Sequence, residues 1–432
     1  MKMSLFQIIL IGVFGLGALI GLFVFATYTS GIGEEGIGTV VIWGVLPEDA
    51  MQATLTAIGQ TNTEIKSVSY VQKDPSTLQS DVASAIATGV SPDLVLASQE
   101  DLRALAKFIV PIPFDTLSIS TFTTTFIEGA EVFTAPGGYY GIPFLVDPIV
   151  LFFNQSILSS NGIAKPPATW ESLTGLVPNI AILTPTRQIK RGLIALGTYN
   201  NVSNARGILS SLFLQTSVPL SSYSASGVLS GNLGTTAQGG VPPGEAVLGF
   251  YTQFADPSKV SYTWNASLPN SRQMFLVGDL ALYIGYASEA RYLRSANPNL
   301  NFKVALLPQP ATAQIKRVYG LIYSLMISRG TKNPSGAYQV AALLSNSSEQ
   351  SIAAATTGLA PVNLNVLAAA PADPIATVAS SEALYTRGWL SPSSPDTDGV
   401  FSGMINNVIS GRSSLQTALA SAERSLSALL QK

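Results

Sequence analysis

Cysteine and histidine are both absent from the 432-residue chain. Without cysteine there is no disulfide framework, no thiol nucleophile and no lipid-modified N-terminal Cys. Without histidine there is no Ser-His-Asp triad and no His-ligated zinc. Charge is scarce as well: Asp, Glu, Lys and Arg together make up 11%, against about 25% in an ordinary soluble domain. A net charge of −2 offers none of the basic surface that nucleic acid needs. Hydrophobic residues still reach 47%, enough to bury a core rather than leave the chain disordered. The 37 glycines and 26 prolines imply many turns. The length suits two or three domains. No residue pattern calls for a metal or a cofactor.

What is present begins with the N-terminus. Lys2 is followed by an uncharged stretch to Gly33, in which Leu5 to Ala26 has Gln7 as its single polar residue. At about 1.5 Å per residue this run spans roughly 33 Å, enough for a bilayer core. A cleavable secretory signal has an apolar core of only about 7–15 residues. We therefore expect residues 1–35 to be a membrane anchor of one transmembrane helix plus a linker. Val24-Phe25-Ala26 leaves a cleaved signal as the alternative. Both readings export the rest of the chain, and Lys2 inside with Glu34 and Glu35 outside fits the positive-inside pattern.

The exported part alternates strands and helices. Thr39 to Trp43 reads as a buried strand, and Pro47-Glu48-Asp49 opens a helix with acids in its first turn. Ile65 to Val71 reads as a strand, Thr77 to Thr88 as a helix stopped by Gly89, and Pro92 to Ala97 as a third strand. This is the βαβ signature of an α/β fold with a mostly parallel sheet. Phe133 to Tyr140 reads as a hairpin around Pro136-Gly137-Gly138. In the apolar stretch Ile142 to Asn154, Pro143 and Pro148 argue against one continuous central strand, so a strand broken between two lobes is expected. Arg206 to Glu245 holds no charge between its ends and reads as a helix followed by a long surface loop. Ala281–Ile284, Phe302–Leu306 and Val318–Ile327 read as strands, with a short helix at Ser288–Ala296. Beyond Pro334 the chain is mostly helical, including Gly399–Ser410 and Ser414–Leu430.

Several segments match in order and spacing. Gly141-Ile142-Pro143-Phe144, Asp147, Leu151-Phe152-Phe153-Asn154, Gly162-Ile163 and Pro166-Pro167-Ala168-Thr169-Trp170 come first. Gly278-Asp279-Leu280-Ala281, Asn297-Pro298-Asn299 and Leu307-Pro308 follow, then Gly358-Leu359-Ala360-Pro361-Val362 and the tail from Phe401 to Leu419. Together they resemble the extracellular solute-binding proteins of family 1, the maltose-binding-protein-like receptors of ABC importers. The resemblance implies a two-lobed periplasmic-binding-protein-like type 2 fold. Three hinge crossovers are expected near Phe144–Asp147, Tyr286–Ser288 and Gly320–Ile322. The first lobe would take 36–146 and 287–320, the second 147–286 and 321–432. The implied function is a monomeric receptor that captures a small solute, a carbohydrate, and delivers it to ABC transporter permease subunits.

Ligands of open parallel sheets sit beyond the carboxyl ends of the strands. Trp43 follows the first strand and is either an aromatic platform or a core residue. Ser98, Gln99 and Glu100 follow the third strand and either meet the solute or cap a helix. Asp147, an acid in an apolar run, needs a partner on burial: the ligand, a hinge salt bridge or an N–H donor. Tyr286, Ser288 and Glu289 follow the strand at Ile284. The family often has a Trp where Ser288 stands, so Tyr286 is the candidate replacement. Tyr319 at the third crossover either lines the cleft or pairs across a strand. No Arg or Lys falls at these positions, so an anionic solute would lack its usual partner and a neutral one is expected. Two other classes stay open: a membrane-tethered sensor or adhesion ectodomain, and a glycoside hydrolase using two of Glu100, Asp147 and Glu289 about 5–9.5 Å apart. Nothing marks an acid as activated, so a binder rather than an enzyme is expected.

Overall fold

The computed structural model describes residues 37–235 and 242–432. The expected span Leu5 to Ala26 lies outside them. Among the described residues no helix is long and apolar enough to cross a membrane.

The first lobe grows from β1 (Val40–Gly44), which runs parallel to β2 (Val68–Gln72) and β3 (Leu94–Ser98). Helix α1 (Glu48–Ile58) follows β1 with Glu48 and Asp49 at its positive end, as expected. Strand β2 begins later than the alternation suggests. Asn62 accepts from the Glu64 N–H and winds Thr63–Ser67 into a 3-10 turn first. Helix α2 (Leu78–Thr88) stops at Gly89, whose φ of 74° is a left-handed turn that costs glycine least. The expected hairpin forms, Thr134-Ala135 pairing with Gly138-Tyr139.

One expectation is overturned at the centre of the molecule. β4 (Ile142–Asn154) is a single continuous strand, buried along its whole length. Its prolines are tolerated because of where they fall. Up to Pro148 the partner is β8 (Val318–Ile327), with Gly320 opposite Pro148; from Ile149 it is β6 (Leu280–Tyr286), with Tyr286 opposite Ile149. The missing N–H of Pro148 thus sits at the change of partner, and its carbonyl accepts from the Ala287 N–H at 3.0 Å. Pro143 lies opposite Ser324, beside a register shift in β8, and its carbonyl accepts from the Ser345 hydroxyl at 2.9 Å. A strand buried on both faces carries no alternation, which is how this one reads.

β4 is therefore shared by two sheets. The first has the order β2-β1-β3-β8-β4, with β9 (Ala360–Pro361) on β4. The second has β4 beside β6, which pairs in parallel with β5 (Ile189–Ile194), and β7 (Phe302–Ala305) on β4. These partners divide the chain elsewhere than the expected boundaries. Residues 302–305, placed in the first lobe, pair with the second-lobe half of β4 through Phe302↔Asn154. Residues 323–327, placed in the second, pair with β3 of the first. Helix α5 (Ser347–Thr357) packs on α1 in the first lobe, whereas α7 (Ser394–Ile409) and α8 (Leu415–Leu430) pack in the second. There, the uncharged segment after Arg206 forms helix α3 (Ala205–Leu214) and then a hairpin, Ser221–Tyr223 with Leu229–Gly231, where a loop was expected.

Candidate functional site

The carboxyl end of β3 brings three expected residues to the seam between the lobes, and their roles differ. Gln99 is fully buried. Its amide donates to the Gly320 carbonyl at 3.0 Å and to the Tyr319 hydroxyl at 3.2 Å, and its carbonyl accepts from the Ile322 N–H at 2.7 Å. These bonds bolt β3 to β8 and leave Gln99 no donor for a ligand. Ser98 donates to Asp101 at 3.1 Å and accepts from the Glu100 N–H at 3.3 Å, a local turn. The expected capping by Ser98 does not form, because the helix starts later and Asp101 occupies its N-cap position.

Glu100 is 7% exposed and meets donors from across the seam. Arg206, near the start of α3, grips it with both arms of the guanidinium: Nε to Oε1 at 3.0 Å and Nη2 to Oε2 at 2.9 Å. The Ser394 hydroxyl, from the start of α7, donates to Oε2 at 2.7 Å, and the Tyr319 hydroxyl donates to Oε1. Arg206 also holds Asp398 of α7 at 2.6 Å, and the Tyr199 hydroxyl donates to the same carboxylate at 2.5 Å. Burial acts to lower the Arg206 pKa, but Glu100, Tyr319 and Asp398 outweigh it and hold the guanidinium above its ordinary range. Burial, with the Glu100 carboxylate next, pushes the Tyr319 phenol far up. Tyr319 is thus an internal donor, 1% exposed.

Arg206 corrects the expectation of a seam without a cation. Sequence reading missed it, and Ser394, Asp398 and Tyr199 with it. The available signal is isolation: Arg206 is the last charge before the long uncharged run. Its neighbour Gly207 explains how α3 comes so close, since a Cβ there would lie 2.5 Å from Ile149 and 3.0 Å from the Tyr286 hydroxyl.

A second group sits where β4 changes partners. Asp147, 4% exposed, accepts from the Ser288 N–H at 3.0 Å and from the Ser288 hydroxyl at 2.5 Å. Burial pushes its carboxyl up to about 7, against the Ser288 bonds, which lower it. Of the partners foreseen for Asp147, an N–H donor is present. Glu289, at the start of α4 (Glu289–Ala296), faces away from the seam into its own lobe. It binds Arg272 at 2.7 Å, Asn204 at 2.6 Å and the Tyr283 hydroxyl at 2.6 Å. Tyr286 and Trp43 are half-buried. One face of Trp43 carries the Lys73 ammonium, 3.8 Å from the ring centroid.

Ser288 also borders a cavity of about 1180 Å³. Its walls come from α4 on one side and α5 on the other, and from α6 (Pro374–Ala383). Arg291 of α4 spans the gap, donating to the Thr356 carbonyl at the end of α5 (3.3 Å). Ser347, Ser348 and Ser351 line it with several alanines and with Arg291, Arg294 and Asp373, and no aromatic residue does; the Ser347 and Ser348 hydroxyls donate to Asn363 and Glu349. Among the described residues no cluster of acids could hold a metal ion.

These features can be set beside known proteins. The maltotriose-binding protein of Pyrococcus abyssi (strain GE5 / Orsay) is 25% identical over 141 residues, 32% of this chain and 30% of that protein. The match thus spans about a third of that relative's length. The crystal structure of a cyclic α-maltosyl-1,6-maltose binding protein from Arthrobacter globiformis has the same fold. Its TM-score is 0.74 at 14% identity, covering 91% of this chain and 99% of that one. The sugar-binding protein MalE from Xanthomonas citri gives 0.71 at 19% identity, covering 91% and 97%. The two solved structures share this chain's two-lobed α/β fold. With residues 53–380 also matching the family model of that description, the chain belongs to the bacterial extracellular solute-binding proteins.

Proposed function

We propose that the protein is an extracytoplasmic receptor that captures a neutral carbohydrate between its lobes and hands it to the permease subunits of an ABC importer. The observation that carries this is the cavity of about 1180 Å³ between α4 and α5, with the Asp147–Ser288 pair at its edge. Small-molecule sites usually measure about 300–1,000 Å³, so this one has room for more than a single sugar ring. Its serine hydroxyls suit a polyhydroxylated solute. The half-buried Tyr286 and Trp43 lie outside the lining of this cavity; we assign them to the sugar as aromatic surfaces elsewhere along the seam. Asp147 and Ser288 supply hydroxyl partners, with the Ser98–Glu100 turn and Tyr319 as the wall behind them. The relatives named above are described as binding maltotriose and maltosyl sugars, which favours the same ligand class. Glu100 and Glu289 spend their carboxylates on internal donors, which supports binding rather than hydrolysis. We assign the apolar run Leu5 to Ala26 to membrane attachment, and a monomer to the working state.

A thermal-shift screen of the full-length protein against maltotriose, mannobiose, monosaccharides, polyols and peptides tests this. At 100 times its dissociation constant a ligand adds about 2.7 kcal/mol of stability. A neutral oligosaccharide is expected to give the largest shift, recovered unchanged afterwards. A peptide as the sole stabilising ligand would contradict the carbohydrate reading, and a cleaved sugar the binding reading.

A further inference from the structure

We infer that Glu100 is a built-in occupant of a carboxylate site, so that the cleft refuses acidic sugars. Arg206 presents the geometry used for carboxylate recognition, two parallel N–H···O bonds from one planar fork. Its target is the chain's own Glu100, and the Ser394 and Tyr319 hydroxyls complete a four-donor cradle around that carboxylate. The cradle is assembled from both lobes and the crossover between them: Glu100 follows β3, Arg206 and Ser394 start second-lobe helices, and Tyr319 lies on β8. Arg206 retains 21% side-chain exposure, while its guanidinium bonds Glu100, Asp398 and the Ser394 carbonyl.

The consequence is a specificity device. An acidic sugar entering the seam must compete for Arg206 with an intramolecular carboxylate already aligned to it. If it wins, Glu100 is left buried without its cation, which is costly. A neutral sugar leaves the pair intact. Selectivity of this kind arises from the penalty set against the wrong ligand. It also makes Glu100 a positioning residue, since its bonds to Arg206 and Ser394 join the two lobes. The role in solute selection rests on the carbohydrate reading above, whereas the carboxylate site itself does not.

The experiment removes the occupant and offers a substitute. Full-length Glu100→Ala, Glu100→Ser and Glu100→Gln proteins are melted in sodium acetate and in sodium chloride of equal ionic strength. D-glucuronate binding is then measured by calorimetry. Acetate is expected to raise the melting temperature of the Ala and Ser variants in a saturable way, beyond chloride. The wild type and Glu100→Gln, whose side chains fill the cradle, should respond to the two salts alike. Glucuronate is expected to bind the Ala and Ser variants at least tenfold more tightly than the wild type, and to lose that gain when Arg206→Met is added. An acetate response equal in wild type and variants, or absent from every truncated variant that folds, overturns the carboxylate site. If neither truncated variant folds in chloride or in acetate, the cradle cannot accept a substitute and the inference fails as well. Acetate rescue without any neutral-sugar binding by the wild type would keep the site and remove its role in solute selection.

Discussion

Replacing Arg206 by Met is expected to destabilise the protein by about 3 kcal/mol, because it strands a buried charge. Glu100 is 7% exposed and would keep only the Ser394 and Tyr319 hydroxyls. Asp398 is more open, at 44% exposure, and can turn to water. Glu100→Gln should cost less, since an amide of the same shape keeps part of the bonding without a charge to bury. The double variant should recover part of the Arg206→Met loss, giving a coupling of about 1–3 kcal/mol. Chemical denaturation of the four proteins measures it. The lobes have a second way to respond. By opening, they let water reach Glu100, and that limits the loss. Small-angle scattering separates the two outcomes, an increased radius with retained melting marking opening. Additive single effects with no change in radius would show that the pair joins nothing.

The second large effect is a loss of stability as pH rises. Burial, opposed by the Ser288 bonds, raises Asp147 to about 7. Burial raises Glu382 to about 8, although the Leu307 N–H and Lys316 act the other way. Burial and then the charge of Glu100 raise Asp101 to about 6. Each folded-state value lies above the ordinary carboxylate value of 3.8 or 4.5. Between the ordinary and the raised values the folded protein therefore binds more protons than the unfolded chain, and stability falls as pH rises. The fall should run from about pH 4 to pH 8 and then level off. Asp74 and Asp256, which are lowered by bonds from Ser76 and Ser258, act in the opposite sense. They titrate below about pH 4 and leave the window above it unaffected. Taken at full strength the three shifts sum to on the order of 10 kcal/mol; water that reaches the groups as they ionise reduces this, and a fall of at least several degrees in melting temperature is expected. Glu382→Gln should flatten the upper part of the curve and Asp147→Asn the middle. A melting temperature that climbs from pH 5 to pH 8 would contradict the assignment.

Much of the fold was legible because its signals are local. Trp43 near the end of β1, Gly89 closing α2, and a strand over Ala281–Ile284 all follow from neighbours within a few residues, although that strand runs on to Tyr286. Pro143 and Pro148 were misleading for a non-local reason: the change of partner from β8 to β6 decides whether a missing N–H matters. The lobe boundaries failed likewise, since nothing around Phe302 announces that its partner is Asn154. In the site, sequence placed Glu100, Asp147, Ser288 and Tyr319 near the seam but not what they bond. Glu100 and Arg206 are separated by 106 residues, and Glu100 and Ser394 by 294. Glu289 lies next to Ser288, and a quarter turn at the start of α4 sends its carboxylate to Arg272 instead of the seam.

Capture of a carbohydrate between the lobes is tested most directly by calorimetric titration with the best stabilising oligosaccharide, comparing wild type with Asp147→Ala and Trp43→Ala. Asp147 and Ser288 fix the strand that both sheets share, at the edge of the cavity. Trp43 offers an aromatic face at the end of β1. The wild type should bind one sugar per chain. Asp147→Ala should weaken that binding at least tenfold, about 1.4 kcal/mol, while circular dichroism shows both lobes folded, and Trp43→Ala should weaken it as well. Unchanged affinity in both variants would contradict a site between the lobes.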